Sequence, residues 1–172
     1  MDAAGYFYND KAFALLTSDW YSLGVMNSAP AFNFLKETCS VLGDELKGGR
    51  LEFRTIYMEN LPIPDAPTDE RERVAELARA AQGLHTARRQ RVEQFLRDAG
   101  TSPAASSSRN PLEQPWTLTP PEFARRSPRA NPQHFTGASD ETFALTERIT
   151  KIEREIDERV AALYGISLDK QD

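Results

Sequence analysis

Two short runs hold the residue types from which nucleic-acid contacts are built. Lys47-Gly48-Gly49-Arg50, with Arg54 four residues on, sets cationic side chains around a glycine pair. Glycine removes side-chain bulk, so the backbone can approach a polyanion, and arginine pairs phosphates or the edge of guanine. The ordinary alternative is a glycine turn. Arg125, Arg126 and Arg129 form a net-basic stretch among prolines, suited to phosphate contact or to plain solvation. Other constellations fall short of chemistry. Glu45-Leu46-Lys47 has the Glu-x-Lys form of metal-dependent nucleases, with Asp19 upstream, but no second acidic ligand stands at a fixed spacing. His85 and His134 lie far apart without a carboxylate pair at ligand spacing, and Cys39 is alone, which excludes both a disulfide framework and a thiolate zinc cluster. Trp20, Trp116 and Phe123 read as core anchors rather than stacking platforms for bases.

The elements that must position these groups are mostly helical. A 172-residue chain can bury a core of its own. No segment approaches the roughly 18 to 20 apolar residues that span a bilayer, and the sequence is read as cytoplasmic, with no membrane partner. The net charge of -5 argues against a general polyanion binder, so any DNA contact is local. Tyr6 to Leu16 reads as a small hairpin across Asn9-Asp10. Ser18 and Asp19 cap a helix over Trp20 to Asn27, and Pro30 restarts one towards Ser40. Leu51, Phe53 and Thr55 alternate with Glu52 and Arg54 as a half-buried strand does. Leu61-Pro62-Ile63-Pro64 then closes the first module, because each proline removes a backbone donor.

Beyond it, Thr68 reads as the cap of a helix of about 30 residues, with an apolar stripe of Val74, Leu77, Ala81, Leu84, Val92, Phe95 and Leu96 that stops at Gly100. Gly83 weakens its middle. The Ser, Ala and Pro of Thr101 to Asn110 read as an exposed connection, and Pro120 to Arg126 as a short helix. Ser139 reads as the cap of a last long helix with the stripe Leu145, Ile149, Ile152, Ile156, Val160 and Leu163, ending at Gly165. The expected fold class is α+β, mostly α: a small recognition lobe over 1–66, then a long antiparallel two-helix hairpin over 67–172 with an irregular connection at about 101–138.

Three segments carry a resemblance. Tyr21-Ser-Leu-Gly-Val-Met-Asn27-Ser28 runs into Phe32-Asn-Phe34-Leu35; Gly48-Gly49-Arg50-Leu51-Glu52-Phe53-Arg54 is followed by Tyr57 and the proline exit; and Ile156-Asp157-Glu158-Arg159-Val160-Ala161-Ala162-Leu163-Tyr164-Gly165-Ile166 closes the chain. In that order they resemble the C-terminal specificity region of Taq-type adenine-N6 DNA methyltransferases, found in single-chain restriction-modification and phage-exclusion enzymes. The resemblance implies a target-recognition domain with a helical hairpin, a parent enzyme that methylates adenine and in some systems also cleaves DNA, and two partners, DNA and a methyltransferase domain of the same or another chain. It also implies that S-adenosylmethionine belongs to the parent and not to this chain. The glycine-rich cofactor loop after a strand is missing, as is the Asn-Pro-Pro-aromatic motif that handles a flipped adenine. The nearest run, Asn131-Pro132-Gln133-His134-Phe135, carries Gln in place of the second proline.

The chain therefore reads as a DNA-recognition and docking module without catalytic residues or metal ligands. Its candidate contacts are Lys47, Gly48, Gly49, Arg50, Arg54, Arg125, Arg126 and Arg129. The alternative is an acidic helical adaptor that binds protein and never touches nucleic acid.

Overall fold

The computed structural model describes residues 18–43, 49–100, 110–128 and 130–167. The hairpin expected over Tyr6 to Leu16 and the Glu45-Leu46-Lys47 run lie outside them. The chain is α+β and mostly α, with a two-stranded sheet and a pair of long helices among the described residues. It divides into two compact units, Met1–Arg79 with Arg154–Asp172, and Ala80–Glu153.

In the first unit, helix α1 (Trp20–Met26) begins where Asp19 accepts the backbone N–H groups of Tyr21 and Ser22 at 3.1 and 3.2 Å. The Ser22 hydroxyl, donating at 2.7 Å, holds the Asp19 carboxyl below the ordinary carboxylate range, outweighing partial burial; the two N–H groups and Arg71 act the same way. Helix α2 (Ala29–Thr38) starts at the Ser28 cap and takes a second acceptor from far along the chain, Asp157, which receives the Ala29 N–H at 2.7 Å. A carboxylate there meets both an unpaired donor and the positive end of the helix dipole. Strands β1 (Ser40–Leu42) and β2 (Arg50–Glu52) pair antiparallel, Ser40 opposite Glu52 and Leu42 opposite Arg50. The strand read through Phe53 to Thr55 is thus shorter than expected. Its three-residue partner runs out, and Thr55 opens the short helix α3 (Thr55–Met58) instead.

The proline exit is held by two tyrosines. The buried Tyr21 donates its hydroxyl to the Pro64 carbonyl at 2.7 Å, and Tyr164 donates to the Pro62 carbonyl at 2.5 Å. Leu61 is buried in a cluster with Ala31, Leu35 and Cys39. A strap without proline N–H groups cannot be held by a backbone ladder, so side-chain donors hold it. Burial pushes both phenols above their usual range. Helix α4 (Thr68–Asp98) begins one residue before the expected cap allows: Thr68 is already helical, and the Pro67 carbonyl receives the Arg71 N–H. Gly24 of α1 lies so close to α4 that a Cβ there would stand 2.8 Å from Val74 Cγ1. Helix α6 (Pro132–Leu163) ends in this unit, where Gly165 at φ +67° reverses the chain and Ile166 N–H returns to the Ala161 carbonyl.

The second unit is built on a buried cluster of Val92, Phe95, Leu96, Leu112, Phe123, Phe135 and Ala138. Phe123 and Phe135 stack with ring centroids 4.6 Å apart, and Phe95 meets both at 5.7 and 6.3 Å. Two single 3-10 turns, Pro111–Glu113 and Pro115–Thr117, and helix α5 (Pro120–Arg126) lie in the stretch read as irregular. A capping box sets α5: Thr119 and Glu122 exchange bonds, with the Glu122 carboxyl receiving the Thr119 N–H at 2.9 Å. Helix α6 starts earlier than expected. Asn131 accepts the Gln133 N–H at 2.9 Å, whereas Ser139 lies inside the helix and donates to the Pro115 carbonyl at 3.2 Å. The long helices run antiparallel in each unit: Arg159 meets Glu70 and Glu155 meets Arg73 in the first, while His85 meets Glu153 and Arg91 meets Glu141 in the second.

Of the expected stripes, Val74, Leu77, Ala81, Leu84, Val92, Phe95, Leu96, Ile149, Ile156 and Val160 are buried, but Leu145, Ile152 and Leu163 are only half-buried. Thr142 takes the fully buried place, its hydroxyl satisfied by the Ala138 carbonyl at 2.6 Å. Gly83 is exposed and a Cβ there would meet nothing within 4 Å. Gly83→Ala is therefore expected to raise stability by about 0.5 to 1 kcal/mol, read from urea unfolding; an unchanged or lowered midpoint would show that the glycine is needed.

Candidate nucleic-acid interface

The β1–β2 ribbon places the first group of candidate residues. Successive side chains of a strand alternate in direction, so Val41 and Leu51 share one face and Ser40, Leu42, Arg50 and Glu52 the other. Leu51 packs on the Ala31–Leu35–Leu61 cluster, which turns Arg50 and Leu42 to the outside; both are exposed. Gly49 enters the strand half-buried, and Lys47 and Gly48 lie outside the described residues. Arg50 makes no ion pair among the described residues. Arg54, just past the strand, is exposed but engaged, its Nε 2.6 Å from the Glu52 carboxylate, which favours the charged guanidinium further. Ser40 and Tyr57 hydroxyls meet at 2.5 Å beside the ribbon.

The second group sits on α5 in the other unit. Arg125 and Arg126 are exposed in its last turn, where a cation suits the helix dipole, and Arg126 donates to the Glu122 carbonyl at 3.3 Å. Arg129 lies outside the described residues. The ribbon and α5 groups therefore belong to different units.

Arginines of the long helices are largely spent on structure. In the first unit Arg71 reaches Asp19 at 3.3 Å and covers the Tyr21 ring at 4.3 Å, Arg73 pairs with Glu155 at 2.8 Å, and Arg159 grips both oxygens of Glu70 at 3.0 and 2.9 Å. The Arg73 bond, ahead of Arg159, holds the Glu155 carboxyl below its usual range. In the second unit Arg91 pairs with Glu141 at 2.5 Å and Arg89 stands 3.9 Å from Glu93. Each of these arginines has a carboxylate as its nearest counter-charge.

Among the described residues no group of three or more His, Cys, Asp or Glu is placed to hold a metal ion. His134 is exposed on the first turn of α6, and His85 Nε2 lies 2.9 Å from Glu153. The Asn131 run is a helix start rather than an adenine pocket, since its amide oxygen is engaged as a cap. Phe123 is a core anchor as expected, whereas Trp116 is only partly buried, with the Arg88 guanidinium 4.8 Å above its ring.

Sequence reasoning missed a cavity of about 480 Å³ in the second unit, lined by residues that include His85, Arg88, Val92, Leu96 and Trp116. His85, Arg88, Val92 and Leu96 recur at helical spacing on one face of α4, but their meeting with Trp116 is non-local and leaves no periodic trace. Compared with protein-family models, with curated proteins and with solved structures, the chain matches none of them.

Proposed function

We propose that this chain is the DNA-recognition and docking module of an adenine-specific DNA methyltransferase of a restriction-modification or phage-defence system, non-catalytic by itself. The observation that carries the reading is convergence. The three segments that resemble the specificity region are far apart in sequence yet bonded to one another in one unit, through Asp157 to Ala29, Tyr164 to Pro62 and Tyr21 to Pro64. The residues that carry the resemblance are thereby structural joints of this unit. The ribbon adds the DNA-facing element: a two-stranded antiparallel ribbon fits a major groove, and Arg50 projects from its outer face. Methyl transfer and S-adenosylmethionine fall to the methyltransferase half, because this sequence carries neither the cofactor loop nor the adenine motif.

Exposed apolar side chains favour the second reading, a protein-binding adaptor. Phe32, Leu42, Phe53, Ile56 and Ile63, all in the first unit, are each at least 41% exposed. A single experiment separates the two. The chain, combined with its methyltransferase half, is titrated against target and scrambled duplexes at several salt concentrations. Arg50→Ala is expected to reduce discrimination between duplexes by about 1 to 3 kcal/mol if the arginine reads a base, and to weaken both alike with a shallower salt slope if it meets a phosphate. Arg54→Ala is expected to do less, since Glu52 already holds that guanidinium. Unchanged affinity, slope and preference in the Arg50 and Arg54 variants would make this ribbon only a turn and move the DNA-facing surface to Arg125, Arg126 and Arg129, whereas a parent complex that binds neither duplex would leave the adaptor as the reading to keep.

A further inference from the structure

The Arg88 guanidinium differs from the other arginines that join the long helices. Arg73, Arg91 and Arg159 each meet a carboxylate of the other long helix within ion-pair distance. Arg88 meets none among the described residues. It donates instead to the Thr146 hydroxyl at 3.0 Å and to His85 Nδ1 at 3.2 Å, and lies over the Trp116 ring. Because Arg88 can only donate, Nδ1 is the accepting nitrogen and the proton sits on Nε2, donated to Glu153. Three anchors fix the arginine before any ligand arrives, and a guanidinium carries five N–H donors, so two bonds leave three uncommitted.

This cation lines the cavity of about 480 Å³, a volume within the range of small-molecule sites. Val92, Leu96 and Trp116 supply apolar wall, Arg89 and Glu93 lie within reach of each other, and Glu113 is also on the lining. We propose that the cavity binds a small organic monocarboxylate with an apolar or aromatic body, its carboxylate on Arg88 and its body against Val92, Leu96 and Trp116. The planar arginine fork matches the two oxygens of a carboxylate. Glu93 on the same lining adds negative charge, which disfavours a dianion such as a phosphate ester more than a monocarboxylate. The proposal is independent of the DNA reading, and either can fail without the other.

The test uses the full chain with Trp20→Phe, which leaves Trp116 as the one tryptophan reporter. Phenylacetate, 2-phenylethanol and phenyl phosphate serve as probes, followed by Trp116 fluorescence and by calorimetry. Phenylacetate is expected to bind saturably, and the neutral alcohol about tenfold or more weaker, as befits loss of a charge-assisted bond. Phenyl phosphate is also expected to bind more weakly than phenylacetate. Arg88→Gln should lose the same factor while keeping the helical circular dichroism, and Arg97→Gln, elsewhere on α4, should bind as the parent does. Thr146→Val, which removes one anchor but no charge, should weaken phenylacetate by a smaller factor. Absence of saturable binding, equal binding of acid and alcohol, or unaltered binding in a folded Arg88→Gln chain would overturn the proposal, and phenyl phosphate binding as well as phenylacetate would overturn its carboxylate class.

Discussion

Ile149→Asp is expected to cost roughly 4 kcal/mol or more, combining loss of a buried aliphatic side chain with burial of a carboxylate that has no partner there. Ile149 is 2% exposed and lies one turn of α6 from both Thr146 and Glu153, which bond to α4 on either side of it. With total stabilities of about 5 to 15 kcal/mol for such domains, the variant is expected to be largely unfolded or close to it. Ile152→Asp is the control. It sits three residues on, in the same unit and helix, but is half-buried, so its carboxylate can turn to water and should cost less than half as much. Urea unfolding of the two variants measures the difference. Equal losses would mean that α6 presents a different face from the one described, and a mild loss at Ile149 would mean that the helix pair is not packed through it.

Phe95→Ala is expected to lower stability by about 3 to 5 kcal/mol, the range for emptying an aromatic site in a packed core. Phe95 is fully buried and its ring touches the stacked pair of Phe123 and Phe135, so one truncation leaves a gap in a three-ring cluster. Those rings come from α4, α5 and α6, and no single element can close the gap without breaking its contacts with the others. Phe95→Leu, which keeps most of the volume, should recover more than half of the loss. Helix α5 should also lose protection in hydrogen exchange before the ends of α4 do, because Phe123 is its one buried side chain. A Phe95→Ala chain that unfolds at the parent's urea midpoint would show that the cluster does not hold the unit together.

Elements governed by neighbours along the chain were legible in the residues alone. The start of α1 at Asp19, the full span of α5 between Thr119 and Ser127, and the stops at Gly100 and Gly165 follow from caps, prolines and left-handed glycines, whose energies act within one helical turn. The burial of Val74, Leu77, Ile149, Ile156 and Val160 also followed, because a repeat of three and four is itself a statement about one helix face. So did the fold class.

Choices between locally equivalent residues needed the tertiary structure. Asn131 and Ser139 are both good caps; what decides for Asn131 is that Phe135 and Ala138 are needed in the core as helix, while the Ser139 hydroxyl finds the Pro115 carbonyl. Thr142 is buried where an apolar stripe would have placed Leu145, since a hydroxyl that bonds its own helix carbonyl can enter a core at little cost. The pairing of Ser40 with Glu52 was hidden because three residues are too few to show an alternation. The arginines were hardest of all to sort. Arg50, Arg73 and Arg88 are chemically identical in a sequence, and only the fold makes the first an exposed side chain, the second an ion-pair strut and the third a fixed cation on a cavity wall, because a charge takes its meaning from what lies within a few ångströms and those neighbours come from distant parts of the chain.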